Sequence, residues 1–411
     1  MEIEFENHLA KYLSEKEVRE LLISLEGENK HAVLLNTRKM DDQTFLSKFP
    51  HVTPHPIVKH AYLYDKNEYE LGKSIYHELG CFYLQEPSAM IPSFLLNAEP
   101  GNLVLDLCAA PGGKTVQCSF LMNNEGLIVS NDLSHERASI IKENAERLGL
   151  KNLLIVSNDF EKVCHQYYNT FDKIVLDAPC SGSGMFRKMS EMKDDWTYNK
   201  VIKFQEVQKR LISIAYDMLK PGGKMVYSTC SFSYEEDEEV VKYLLDNSDA
   251  ELISIEDNPH YYVSKDKIGV HMFPNLFPGE GHYICLISKP GSIKKKDNDS
   301  KPIIAKYGEF QFEQTMKFNT KNLSIIRFGV KVGEISGKVI KYDIHYARSL
   351  DKFENEFEIN EEQLISYMKG NPINAICDRG FVLLKYEGIP VDIAKSDGSI
   401  IKNRYPKYLR K

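Results

Sequence analysis

Leu105 to Thr115 reads LDLCAAPGGKT, and this stretch decides how the chain folds. A short apolar run, Leu103 to Leu107, carries an acidic residue into a Pro-Gly-Gly turn, and a helical pattern follows. In an open α/β sheet such a turn lies at the carboxyl end of a strand, where these sheets bind ligands. Gly112 and Gly113 let the backbone come close to a small molecule, because no Cβ stands in the way.

A phosphate-binding loop is the first competitor, since GGKT ends like G-x-x-x-x-G-K-[ST]. That motif needs glycine six residues before Lys114, and Cys108 stands there instead. Asp132 closes the next apolar run, where a carboxylate can accept hydrogen bonds from ribose hydroxyls. Together the loop and this acid point to a nucleoside-bearing cofactor without a long phosphate tail. S-adenosylmethionine fits; a nicotinamide or ATP site stays open on these residues alone.

Strand-like runs at 103–107, 127–132, 153–157, 172–177, 224–229, 251–255 and 283–288 alternate with helical patterns. Ser134 to Leu148 aligns Ala138, Ile141, Ala145 and Leu148 on one face. Lys200 to Leu219 does the same with Phe204, Val207, Leu211, Ile214 and Met218. The alternation predicts an α/β core, a mainly parallel sheet covered on both faces. No clear helix separates the last two strands, which allows an antiparallel edge.

Before the core, residues 1–80 read as a small α+β domain of RNA-binding type, with Ser14 and Glu17 as a capping box and His31 to Asn36 as a strand. The core spans 81–290. Residues 291–302 read as a polar linker. Short strand-like runs in 303–411, Ser324 to Val330 and Phe381 to Tyr386, predict a β-rich terminal module.

At 411 residues the chain is too long for one ordinary core. No run approaches 18 apolar residues and the first residues are acidic, so a cytoplasmic protein without a membrane partner is expected. None of the eight cysteines forms a C-x-x-C pair, so no metal site is expected. Net charge is −7, yet residues 303–411 carry 18 Lys/Arg against 14 Asp/Glu. Six basic side chains crowd the last 17 residues, with Tyr405 and Tyr408 among them. Basic groups interleaved with aromatics suit phosphate neutralisation and base stacking.

Two further strands end in cysteines. Lys173 to Leu176 opens into DAPCSGSGMFRK, Asp177 to Lys188, and Lys224 to Ser228 opens into STCSFSYEEDE, Ser228 to Glu238. If the strands are neighbours, Cys180 and Cys230 face the same crevice as the cofactor loop. Carbon 5 of a pyrimidine is a poor nucleophile. A thiolate adding to carbon 6 makes it enamine-like, so that it can take a methyl group, which is covalent catalysis. A free thiol is mostly protonated at neutral pH, and Lys114, Arg187 or Lys188 is expected to supply a field favouring thiolate. Glu235 to Glu239 reads as an acidic run suited to a helix start. Trp196 reads as packed, and His282 as equally suited to a structural hydrogen bond or a substrate contact.

These three motifs, with YLQEPSAM (Tyr83 to Met90), FPNLFPGEGHYICLI (Phe273 to Ile287) and the terminal GIPVDIAKSDGSIIKNRYPKYLRK, resemble the Sun-type RNA cytosine-5 methyltransferases. Within that family the likeness is to the bacterial RsmF-like enzymes of small-subunit ribosomal RNA. The resemblance implies a Rossmann-like, seven-stranded class I methyltransferase core and a PUA-like terminal module. It implies S-adenosylmethionine held by Cys108, Ala109, Ala110, Pro111, Gly112, Gly113 and Lys114, with Asp132, Asp159 and Asp177. Cys230 matches the nucleophile, Cys180 the cysteine that assists product release, and Asp177 a group between cofactor and target base. Arg187 and Lys188, with Lys402, Arg404 and Lys407 of the tail, are the expected RNA contacts. Ser183, Tyr234 and Tyr408 depart from the family pattern at non-catalytic positions. The implied partner is ribosomal RNA, free or in the small subunit. Transfer RNA methylation and non-catalytic RNA binding in ribosome assembly are the alternatives.

Overall fold

The computed structural model describes residues 2–293, 302–337 and 339–410. Of the expected linker, residues 294–301 lie outside the described residues.

Two helices open the chain, Glu2–Leu9 and Glu15–Ser24. The second starts at the predicted capping box: Ser14 Oγ accepts from the Glu17 amide, and Glu17 Oε2 accepts from the Ser14 amide at 2.7 Å. A four-stranded antiparallel sheet follows, built from β1 (His31–Leu35), β2 (Thr53–Pro54), β3 (Ala61–Tyr64) and β4 (Phe82–Gln85) in the order β2-β3-β1-β4.

The core sheet contains β5 (Leu103–Asp106), β6 (Leu127–Asn131), β7 (Leu153–Val156), β8 (Phe171–Asp177), β9 (Leu219–Thr229), β10 (Glu251–Ile253), β11 (Val270–Met272) and β12 (His282–Ser288). β5 pairs in parallel with β6 on one side and β8 on the other, so the strand order reverses at β5. The crevice at that switch point is where ligands bind in such sheets. β12 and β10 form the antiparallel edge that the missing helix allowed.

Both faces are covered, and alternate residues divide between them. Val104, Ile128, Ile155 and Val175 pack with Ile141 and Ala145 of helix His135–Leu148; Leu105, Val129, Leu154 and Ile174 pack with Ile212 and Ala215 of helix Tyr198–Met218. The first of these helices buries the predicted Ala138, Ile141, Ala145 and Leu148. The second is turned from its predicted orientation. Gln205, Gln208 and Ile212 are buried, while Phe204, Val207, Leu211 and Ile214 are half-buried. The cause is polar. Gln208 Nε2 donates to the Pro179 carbonyl at 2.8 Å and to Glu236 at 3.0 Å, and Gln205 Nε2 donates to the Glu235 carbonyl at 2.8 Å.

Beyond the linker lie β13 (Ile303–Tyr307), β14 (Phe310–Gln314), β15 (Ile325–Phe328), β16 (Val330–Ser336) and β17 (Val339–Tyr342). Four of these form a sheet in the order β13-β14-β16-β17. The fifth, β15, was expected within the terminal module; it instead joins the core sheet antiparallel to β7, pairing Ile325 with Val156 and Phe328 with Leu154. An open strand edge is a template for unwanted pairing, and β15 covers it. The last sheet holds β18 (Glu356–Glu358), β19 (Ile373–Asn374), β20 (Gly380–Tyr386), β21 (Ile389–Ser396) and β22 (Ile400–Lys402), in the order β18-β20-β21-β22-β19. Among the described residues no helix is long and apolar enough to cross a membrane.

Candidate active site

The loop after β5 is shaped by its neighbours. The Ala109 amide donates to the Asn131 carbonyl at 2.7 Å, and the Ala110 amide to Asp132 Oδ2 at 3.3 Å. Asn144 Nδ2 donates to the Pro111 carbonyl at 3.3 Å. Gly112 has φ +108°, and a Cβ there would press Ile141, so glycine is required. Helix Gly113–Leu121 then starts with its amide end at the crevice. Asp106, fully buried, accepts from Thr115 Oγ1 at 2.6 Å through one oxygen; the other has no partner among the described residues. Burial pushes the Asp106 carboxyl up to about 7. The half-buried Cys108 thiol is also pushed up by burial.

Asp159 is the N-cap of helix Phe160–Val163, accepting from the Glu161 amide at 3.2 Å, with Lys162 at 3.0 Å. Asp132 accepts from the Ser134 amide at 3.0 Å, which starts the next helix. Asp106, Asp132 and Asp159 thus follow the carboxyl ends of three successive parallel strands. A buried acceptor without a partner among the described residues and a helix amide end fit a nucleoside-bearing cofactor, while the Cβ positions of Gly112 and Gly113 face Ile141 and Gln85.

Asp177 ends β8 and accepts on both oxygens: from Lys114 Nζ at 2.7 Å on one, and from Ser228 Oγ at 2.7 Å on the other, where His282 Nε2 also lies at 3.2 Å. Burial alone would raise this carboxyl, but Lys114 and then His282 outweigh it and hold Asp177 well below the usual carboxylate range. His282, left open by sequence reasoning, therefore belongs to the crevice.

Adjacent strands β8 and β9 bring the two cysteines together. Cys180 Sγ and Cys230 Sγ lie 3.2 Å apart, and both are free thiols. The Cys180 thiol is pushed well up, first by its hydrogen bond to Cys230, then by burial and the charges of Glu236 and Asp177. Two of the three cations expected to favour thiolate are already neutralised. Lys114 is paired with Asp177, and Arg187 lies 3.0 Å from Glu280 with its side chain only 8% exposed. Arg187 is thus a brace rather than a free RNA contact. Lys188 is exposed beside it. In the tail, Lys402 and Lys407 are exposed, whereas Arg404 donates to the Tyr342 carbonyl at 3.0 Å and stacks on Phe381.

Sequence reasoning missed Glu236. The run Glu235 to Glu239 does lead into and open a helix, Glu238–Asn247, but Glu236 is fully buried. Its carboxylate accepts from the Ser181 amide at 2.8 Å, Ser231 Oγ at 2.7 Å and Ser181 Oγ. One acid thereby ties together the residues that follow both cysteines. Asp237 accepts from Thr229 Oγ1 at 2.5 Å, fixing the residue before Cys230. Asp237, Glu238 and His271 form a buried cluster behind this loop, with ligand atoms within 4.8 Å of one another. Trp196 is packed, 1% exposed, with Phe5 and Phe186, so the opening helices lie directly against the cysteine loops.

Three family models match the chain: 16S rRNA methyltransferase RsmB/F over residues 93–288, the N-terminal domain of 16S rRNA methyltransferase RsmF over 1–87, and the methyltransferase RsmF PUA domain over 354–411. A ribosomal RNA small subunit methyltransferase F from Shewanella oneidensis is 30% identical, over 85% of this chain and 82% of its own. Its counterpart from Vibrio campbellii is 29% identical over 95% and 94%. A methyltransferase homolog from Pyrococcus horikoshii has a similar structure, with TM-score 0.60 and 30% identity, over 69% of this chain and 93% of its own. NSun6 from Pyrococcus horikoshii with SFG shares the fold, with TM-score 0.62 at 20% identity over 70% and 98%. With its paired thiols just past adjacent strands β8 and β9 and three domain models matched in chain order, this chain belongs to the RsmF-type family of RNA methyltransferases.

Proposed function

We propose that this protein methylates carbon 5 of cytosine in small-subunit ribosomal RNA, with Cys230 as nucleophile and Cys180 assisting release. The observation that carries this reading is the 3.2 Å approach of the two sulfurs just past the ends of adjacent strands β8 and β9. S-adenosylmethionine, when bound, supplies an electrophilic methyl group on a sulfonium. The residues that would hold it are Cys108 to Lys114, Asp132 and Asp159, with Asp177 between it and the base.

The target cytosine must leave its stack to enter the crevice. The Cys230 thiolate forms a bond to carbon 6, and the electron pair of the 5,6 double bond moves to carbon 5, which takes the methyl group. Loss of the carbon-5 proton to base then restores the double bond and expels the Cys230 sulfur. Cys180 keeps its proton, as its raised pKa requires, and its S–H donates to the departing sulfur. Asp177, held ionised by Lys114, accepts from the cytosine's amino group. The exposed Lys402 and Lys407 suit phosphate contacts of flanking RNA.

Cys180→Ala, incubated with cofactor and labelled RNA, is expected to accumulate a covalent RNA adduct on a denaturing gel. Cys230→Ala is expected to give neither adduct nor methylation. Full methylation by Cys230→Ala would overturn the assignment.

A further inference from the structure

Between the N-terminal sheet and the turn after Cys180 runs a groove that the chemistry of the crevice does not use. Its inner part, about 240 Å³, is lined by Lys30 and His31 at the start of β1, Tyr64 at the end of β3, Lys66, Gln85 and Lys188. Gln85 leads to the crevice itself: a Cβ added to Gly113 would meet its amide at 2.8 Å. Outward, the groove opens into a wider cavity of about 730 Å³ that shares Lys30, His31, Tyr64 and Lys66.

The charge of the inner groove is one-sided. Its two carboxylates are already engaged. Glu86 accepts from the amides of Ser88, Ala89 and Glu280, at 3.0, 2.8 and 2.7 Å, and Glu280 is paired with Arg187. Lys30, Lys66 and Lys188, from three separate segments, form no ion pair among the described residues. Their fields converge on His31, whose imidazole is pushed below its ordinary value first by burial and then by Lys66 and Lys188, with Asp65 opposing and Lys30 adding to them. The His31 and Tyr64 rings lie 5.8 Å apart, tilted by 41°. Aromatic faces beside unpaired cations are how proteins hold single-stranded nucleic acid without reading its sequence.

We infer that this groove carries the single-stranded RNA next to the target cytosine, one base against Tyr64 and His31 and its phosphates against Lys30, Lys66 and Lys188. The inference rests on RNA being the substrate, as proposed above. The N-terminal sheet then holds the flanking strand so that the target base is presented to the sulfurs.

The test uses the full chain, a transcribed 16S RNA, and anisotropy of a labelled single-stranded RNA oligonucleotide over a range of salt. Lys30→Ala/Lys66→Ala is expected to weaken RNA binding about tenfold. It should also lower the slope of log K against log salt by about 1.4, at about 0.7 per lost phosphate contact. Tyr64→Ala is expected to weaken binding about tenfold, and Tyr64→Phe to restore it, since stacking needs the ring and not the hydroxyl. The loss in kcat/KM should fall mainly on KM for RNA, with S-adenosylmethionine affinity unmoved by calorimetry. Unchanged affinity and salt slope in the double lysine variant would overturn the inference. So would poly-glutamate competing as well as RNA, which would mark a protein partner. If the wild type bound RNA through this groove yet made no 5-methylcytidine, the methylation reading would fail and the groove would stand.

Discussion

Lys114 and Asp177 form an ion pair that touches both the cofactor loop and the strand of Cys180. Lys114 is only 8% exposed at the side chain, so Asp177→Asn leaves a nearly buried ammonium without its counter-charge. The expected cost is about 3 kcal/mol in urea denaturation. Lys114→Met added to that variant should recover part of the stability, though not the activity. Asp106 behaves oppositely. Folding raises its carboxyl from 3.8 to about 7, so the folded protein binds that proton more tightly than the unfolded chain. Its effect on stability is absent below the unfolded value, grows unfavourably as pH rises from about 4 to about 7, and is flat beyond. Thermal melts of Asp106→Asn against wild type should therefore show the variant gaining relative stability between about pH 4 and about pH 7, with no further gain above that. At this scale much was legible. Cys180, Cys230, Asp177 and the β5 loop sit where the motifs predicted, because each lies within a few residues of a strand end. His282 and Arg187 were not decidable, since their partners Asp177 and Glu280 lie 105 and 93 residues away.

The loops bearing the two thiols are held by elements rather than by their own geometry. Helix Tyr198–Met218 turns Gln205 and Gln208 inward, and the acidic residues before helix Glu238–Asn247 meet them there. Glu236→Ala would leave the Ser181 amide, two hydroxyls and the Gln208 amide without their acceptor. A loss of about 3 kcal/mol is expected by denaturant titration, since a buried charged acceptor with several donors is being removed. Methylation should fall with it, and Glu236→Gln should restore stability better than activity, because one amide cannot accept from all four donors. An apolar periodicity led to the wrong face of this helix for a physical reason. Phe204, Val207 and Leu211 form a regular stripe, but the buried line follows the hydrogen bonds of the glutamines, and those depend on a segment some 30 residues away. Helix His135–Leu148 makes its polar contacts from Arg137, Asn144 and Arg147, which lie off its apolar stripe, and that stripe is its buried face.

At the scale of the molecule, the domains are not strung out in sequence. Val33, Phe45 and Phe82 of the N-terminal domain share one apolar cluster with Leu364, Tyr367 and Leu384 of the terminal module. Glu78 joins them as well, accepting from Arg348 at 3.3 Å and from Tyr405 at 3.2 Å. β15 adds a strand to the core between these two regions. Removing residues 302–410 should thus uncover both the β7 edge and the N-terminal apolar face. A fall in melting temperature of at least about 5 °C, with aggregation by light scattering, is expected. An unchanged melt would mean the module is an appendage. The existence of three regions was legible from composition and pattern. Their mutual contact was not, because pairing between β7 and β15 joins residues about 170 positions apart.

That shared cluster also sets an order of events at the ribosome making this chain. Residues 33 to 82 emerge long before 364 to 405. At about 5–20 residues per second, the interval lasts tens of seconds. Through that time the first unit synthesised has an oily flank with nothing to cover it, so it is the last to be finished. A nascent chain stalled near residue 300 should accordingly be a preferred client of the cell's folding helpers.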